Sequence, residues 1–273
     1  MSLKVQVAKI HNSGQPPPQF GRNGFLDEIC RPFTPNQVHA MHLNLLVFLQ
    51  VCLLLSMRSF AQDTTFTPHP GQPGLIYMDV LNRQGMVICS GRLLNGKREG
   101  VFRWYNDRNT IVLVKEFHED IPDGIALEFG DNGAVEVEEN YRNGQLEGKR
   151  VLYRFGGIKR SVEYFVQGKL DGLKTVYYDN GFKQEEAGFK NGMREGVTKW
   201  YNQSEQVTIE YSYRKGVLDG PATTYFPHTG KPETIGQYLN GNEHGEWKKY
   251  DANGNHIESL FYDNGTQIRA VKY

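Results

Sequence analysis

The chain has 273 residues, with 31 Lys plus Arg against 31 Asp plus Glu, a pI near 7.1, and 38% hydrophobic against 23% charged residues. That balance argues against nucleic acid and against a strongly acidic or basic partner. Thirty glycines with 15 Tyr and 15 Phe suit short strands joined by tight turns, since Gly reaches positive φ and aromatic rings fit a pleated surface, so the expected class is all-β.

Taken in chain order, the first feature is the apolar run LNLLVFLQVCLLLSM at 43–57. Its 15 residues are short for a bilayer span and suit the core of a secretory signal. Ser59 and Ala61 place small side chains where a signal peptidase reads, so cleavage is expected between Ala61 and Gln62. A retained signal anchor is the other reading of the same run. Met41 is the expected translation start, which makes 41–61 the signal peptide and 1–40 a misassigned, disordered extension. The product is expected to be exported, to the periplasm, the cell envelope or the medium. Of Cys30, Cys52 and Cys89 only Cys89 survives cleavage, so no intramolecular disulfide is expected and Cys89 reads as a small buried apolar side chain. The remaining chain carries 26 basic and 29 acidic residues. Residues 62–74 read as a polar, Pro-broken tether.

Beyond the tether, NGKREGVFRWYN at 95–106 returns as NGMREGVTKWYN at 191–202. Gly96, Gly144, Gly168, Gly192, Gly216, Gly241 and Gly265 mark a period of 24, with one step of 25 and Asp120 standing where one glycine is missing. Four residues after each start come Gly100, Gly124, Gly148, Gly172, Gly196, Gly220 and Gly245. Nine after it comes an aromatic: Tyr105, Phe129, Tyr153, Tyr177, Tyr201, Tyr225 and Tyr250. Another precedes the next start by three: Phe117, Tyr141, Phe165, Phe189, Tyr213, Tyr238 and Tyr262. Four features in register define seven tandem units.

Each unit holds two turn signals, one at its start and one thirteen residues on, ending at Gly133, Gly157, Gly181 and Gly254. Asn-Gly and Asp-Gly favour hairpin turns because both central residues take positive φ there. The runs between, such as VTKWYN and QVTIEYSYR, are rich in β-branched and aromatic residues, so each unit is expected to be a β-hairpin. A lone hairpin is marginal in water, so the units are expected to pair edge to edge into one elongated antiparallel sheet, at ~4.8 Å per strand on the order of 65 to 70 Å long. Residues 75–94 read as a degraded opening unit with its turn at Gly85, and GTQIRAVKY as a closing strand.

This pattern, Gly then three residues, Gly then four residues and Tyr, resembles the MORN repeat in its bacterial variant form over residues 76–273. The resemblance implies a role in protein contacts, self-association or attachment near membranes. Bacterial proteins that look like this are often named antitoxin-like, a role that conflicts with the export signal unless the partner is itself exported. The chain departs from the pattern at Asp120, and from the second-turn glycine at Asn109 and Glu205.

No residue carries a catalytic, metal or cofactor assignment. The histidines His69, His118, His228, His244 and His256 lack ligand spacing, and no GxSxG, P-loop or GxGxxG is present. The acidic residues Glu99, Asp123, Glu147, Asp171, Glu195 and Asp219, one per unit, cannot surround a calcium ion and read as turn hydrogen-bonders. Glu136, Glu138 and Glu139 read as a solvent face or an edge guard. The repeat aromatics are expected to be packing residues, a pair buried by each hairpin rather than a ligand-stacking ladder. Trp104, Trp200 and Trp247 are the candidate interface anchors, though burial in the core is the favoured role. The expected function is a non-enzymatic scaffold whose partner is another protein, with self-association through open edges; the absence of a polybasic block argues against lipid.

Overall fold

The computed structural model describes residues 63–273, and these form strands and turns in one open, antiparallel sheet with no helix among them. The signal peptide, its cleavage site, Cys30, Cys52 and the 1–40 extension lie outside the described residues. Every strand pairs with the next along the chain, from Asp63–Pro68 beside Leu75–Leu81 to His256–Asp263 beside Thr266–Lys272. The expected tether is thus in part a strand. Its backbone pairs along Leu75–Leu81 from Asp63 opposite Leu81 to Pro68 opposite Ile76, which needs no apolar side chains of its own.

The start of each unit is a two-residue turn of the mirror-image kind. Arg142 faces Gln145 across Asn143 and Gly144, whose φ values are 49° and 79°. Both central residues lie in the left-handed region, which matches the right-handed twist of the flanking strands. Asp120 keeps that geometry without glycine, at φ 71°, after Glu119 at φ 49°. Its side chain offsets the strain: the carboxylate accepts bonds from the Arg98 N–H at 2.9 Å and Arg98 Nε at 3.2 Å.

The second turn differs from the expectation of two positive φ values in all units but the third, where Gly156 and Gly157 take 86° and 78°. Tyr178 to Phe182 closes with Gly181 N–H on the Tyr178 carbonyl at 3.0 Å, and Gly181 alone is left-handed there, at φ 86°. One left-handed residue ends an ordinary type I turn and starts a bulge, so Asn109 at φ 58° and Glu205 at φ 59° fill the same position. Several of these turns begin with Asn or Asp, whose side-chain oxygen accepts two backbone N–H groups, as Asn106 does from Arg108 and Thr110. The single 25-residue step lies in the turn after Tyr225, which pairs with Pro232 across a loop one residue longer.

The units are also joined along the rim that carries the first turns. From Asp120 onward each start residue donates its N–H to a carbonyl in the preceding unit, as Gly144 to Pro122 at 2.8 Å, Gly192 to Leu170 at 2.7 Å and Gly216 to Arg194 at 2.8 Å. The acidic residue of the unit adds a second link. Glu99, Glu147, Asp171 and Glu195 accept the N–H of Glu119, Gln167, Asn191 and Lys215 in the next turn, at 3.2, 2.9, 3.1 and 2.8 Å. These carboxylates are turn hydrogen-bonders, each satisfying a donor that the hairpin itself leaves open.

The main apolar cluster gathers Met78, Val80, Cys89, Leu93, Phe102, Trp104, Leu113 and Phe117 at the amino-terminal end. Cys89 is fully buried there, as its apolar reading expects. A smaller cluster at the other end joins Ala222, Trp247 and Leu260 with Tyr211, Tyr238 and Tyr262.

Candidate interaction face

Successive residues of a strand alternate between faces, so the register sorts the repeat positions. Trp104 lies opposite Leu113 and Cys89, and Phe117 shares their face. The other repeat aromatic falls on the reverse face, where the Tyr153, Tyr201 and Tyr225 hydroxyls donate to Glu138, Glu186 and Glu210. The expected cross-strand aromatic pair is therefore not formed. Each hairpin sends one ring to each face, because the two positions differ by an odd number of strand steps. On the reverse face the tyrosines are half-buried and tied by their hydroxyls to the strand before their own.

The face bearing Trp104 changes character along the array. Its amino-terminal third is closed, with Phe102 and Trp104 both 0% exposed. Its middle is ionic: Arg150 lies between Glu139 at 3.0 Å and Glu163 at 3.8 Å, and Lys174 reaches Glu163 at 2.9 Å. Glu139, 9% exposed, also accepts the Tyr141 hydroxyl at 2.8 Å. Glu138 and Glu139 thus belong to an interior strand and point to opposite faces, neither a solvent face nor an edge; only Glu136 of that run is exposed. Paired charge this deep is costly to unpair, since either partner would be left desolvated.

The carboxy-terminal third is aromatic. Trp200, Tyr211, Tyr238, Trp247 and Tyr262 run edge to face along the face, with ring centroids 5.8, 5.7, 5.1 and 6.4 Å apart, Tyr211 and Tyr238 meeting across the strand that carries Ala222. These are favourable offset geometries for aromatic quadrupoles. Gly236 makes room for the row, because a Cβ there would stand 2.1 Å from the Trp247 ring. Burial, and for Tyr238 the neighbouring Tyr211 and Glu243, hold the Tyr211 and Tyr238 hydroxyls above the ordinary tyrosine range.

Of the three tryptophans, Trp104 and Trp247 are buried, the latter 6% exposed, and serve as packing centres; Trp200 is half-buried. Their indole nitrogens at 104 and 247 find no acceptor among the described residues. Tyr238 and Tyr262 are visible in sequence as repeat aromatics, but Tyr211 is not. It occupies a position held by Lys115, Glu139, Glu163 and Ala187 in earlier units, so no periodicity announces it. Among the described residues no three His, Cys, Asp or Glu side chains come together as a metal site.

An open sheet of tandem hairpins, each completed by its neighbours, defines a repeat protein. A family model described as the MORN repeat variant matches residues 122–143 and 243–264, two segments that begin at the same repeat position, after Asp120 and Gly241. Two segments of the chain thus carry the MORN repeat variant. Comparison with curated proteins gives no match.

Proposed function

We propose that the chain is an exported, non-enzymatic scaffold that binds another protein through the aromatic third of its sheet. MORN repeats are commonly protein-interaction or membrane-binding modules. One observation favours protein over membrane and carries the reading: the rings of Tyr211, Tyr238 and Tyr262 are half-buried, amphipathic and set in a row across strands, a surface of the kind that anchors partner side chains. The near-neutral chain offers no polybasic block for anionic lipid. Hairpins occupy residues 75–273, which leaves no separate catalytic domain within that span.

Crosslinking in native cells, followed by identification of captured proteins, tests the reading. A stoichiometric protein recovered from the exporting compartment is the expected result. Flotation of the purified chain with liposomes, without any captured protein, would replace the scaffold by a membrane-attachment module.

A further inference from the structure

The position two residues after each unit start decides what sits against the aromatic face. In the first unit it is Arg98, whose guanidinium lies 4.0 Å over the Phe117 ring and bonds the Asp120 carboxylate at 3.2 Å. In the fifth it is Arg194, 5.4 to 5.8 Å over Phe189, Tyr213 and Trp200, and paired with Glu185. Twice, then, the array seats a guanidinium against one or more rings and pairs it with a carboxylate of its own. In the seventh unit the rings are present as Tyr238 and Tyr262, but the position holds Glu243, opposite Tyr238 in the register. Burial raises the Glu243 carboxyl above its usual range, and among the described residues no cation pairs with it.

We propose that Tyr238, Glu243 and Tyr262 form a receptor for an arginine side chain supplied by the partner polypeptide, seated as Arg98 and Arg194 seat themselves in their own units. The rings offer their negative faces and the carboxylate supplies the counter-charge, so the seventh unit holds two parts of a three-part arrangement. The planar, weakly hydrated guanidinium suits such a slot better than a lysine ammonium. This inference rests on the scaffold reading and names the chemistry of its partner.

The test titrates the ¹⁵N-labelled chain with the peptide acetyl-Gly-Gly-Arg-Gly-Gly-amide and with versions carrying Lys or Leu in place of Arg. The Arg peptide is expected to shift the amides of 238, 243 and 262 saturably, the Lys peptide more weakly and the Leu peptide not at all. Glu243→Gln should weaken the Arg peptide at least fivefold. Glu243→Arg should remove the counter-charge, place a like charge in the slot and abolish binding of the Arg peptide. Equal shifts with Arg and Leu, equal affinity for Arg and Lys, or unchanged binding in Glu243→Gln would overturn the receptor. If native crosslinking captures the same partner with wild type and Glu243→Gln, the scaffold stands and the arginine slot does not. If wild type captures none, the scaffold falls while the peptide series still judges the slot.

Discussion

Gly91 and Gly236 are glycine for want of space rather than for backbone freedom. A Cβ on Gly91 would meet the Phe102 ring at 2.4 Å, and one on Gly236 would meet Trp247 at 2.1 Å, so in both places a large ring lies flat over the bare backbone of its neighbour. Gly181 is the opposite case, with open space around it but φ 86°. Gly236→Ala is therefore expected to cost about 1–3 kcal/mol by overpacking. Gly181→Asn should stay within about 0.5 kcal/mol of wild type, since Asn tolerates the left-handed region and Asn109 occupies the equivalent turn position. Guanidinium unfolding of the two variants separates these mechanisms; equal losses would contradict the distinction. Periodicity marks Gly181 as a turn residue, whereas Gly91 and Gly236, each five residues before a unit start, are glycine only where a large ring, Phe102 or Trp247, stands six residues after that start.

At the scale of the hairpin, cohesion comes from the strand ladder and from the rim. Glu195→Ala removes the acceptor for the Lys215 N–H at 2.8 Å. Its expected cost is about 0.5 kcal/mol, the low end for a hydrogen bond because the site is exposed, with faster hydrogen exchange at Lys215 and little change beyond the adjoining turn. Unaltered exchange at Lys215 would remove the carboxylate from the junction. The tyrosines of both faces give the array an alkaline limit. Burial raises the hydroxyls of Tyr141, Tyr201, Tyr211, Tyr213, Tyr238 and Tyr262, with carboxylates or other tyrosines adding to it in each. These groups hold their protons longer folded than unfolded, so their contribution is complete below the unfolded value of about 10 and is lost as pH rises through the higher folded values. The unfolding midpoint should fall steeply above about pH 10, with tyrosinate absorbance lagging behind that of the urea-unfolded chain. A flat profile between about pH 9 and 12 would refute this.

For the whole molecule, a sheet in which each hairpin pairs only with its neighbours along the chain has no single core, so stability is a sum of local terms and junctions. The closed amino-terminal cluster, the ionic middle and the aromatic end should then respond separately. Trp104→Ala is expected to cost about 3–5 kcal/mol and to speed exchange across residues 78–117. Exchange around Trp247 and Leu260 should remain near wild type. Uniform loss of protection along the chain would indicate one cooperative unit instead.

The sequence by itself determined the period, the hairpin, the antiparallel order and the rim carboxylates, because glycine turns and strand propensity act over a few residues and repeat in register. It could not place Tyr211 in the aromatic row, bury Glu139 beside Arg150, put the two repeat aromatics on opposite faces, or turn Asp63–Pro68 from tether into strand. Those outcomes depend on which residue of one strand lies across from which residue of the next. Bulges near the turns shift that register by a residue, and only the assembled sheet decides it.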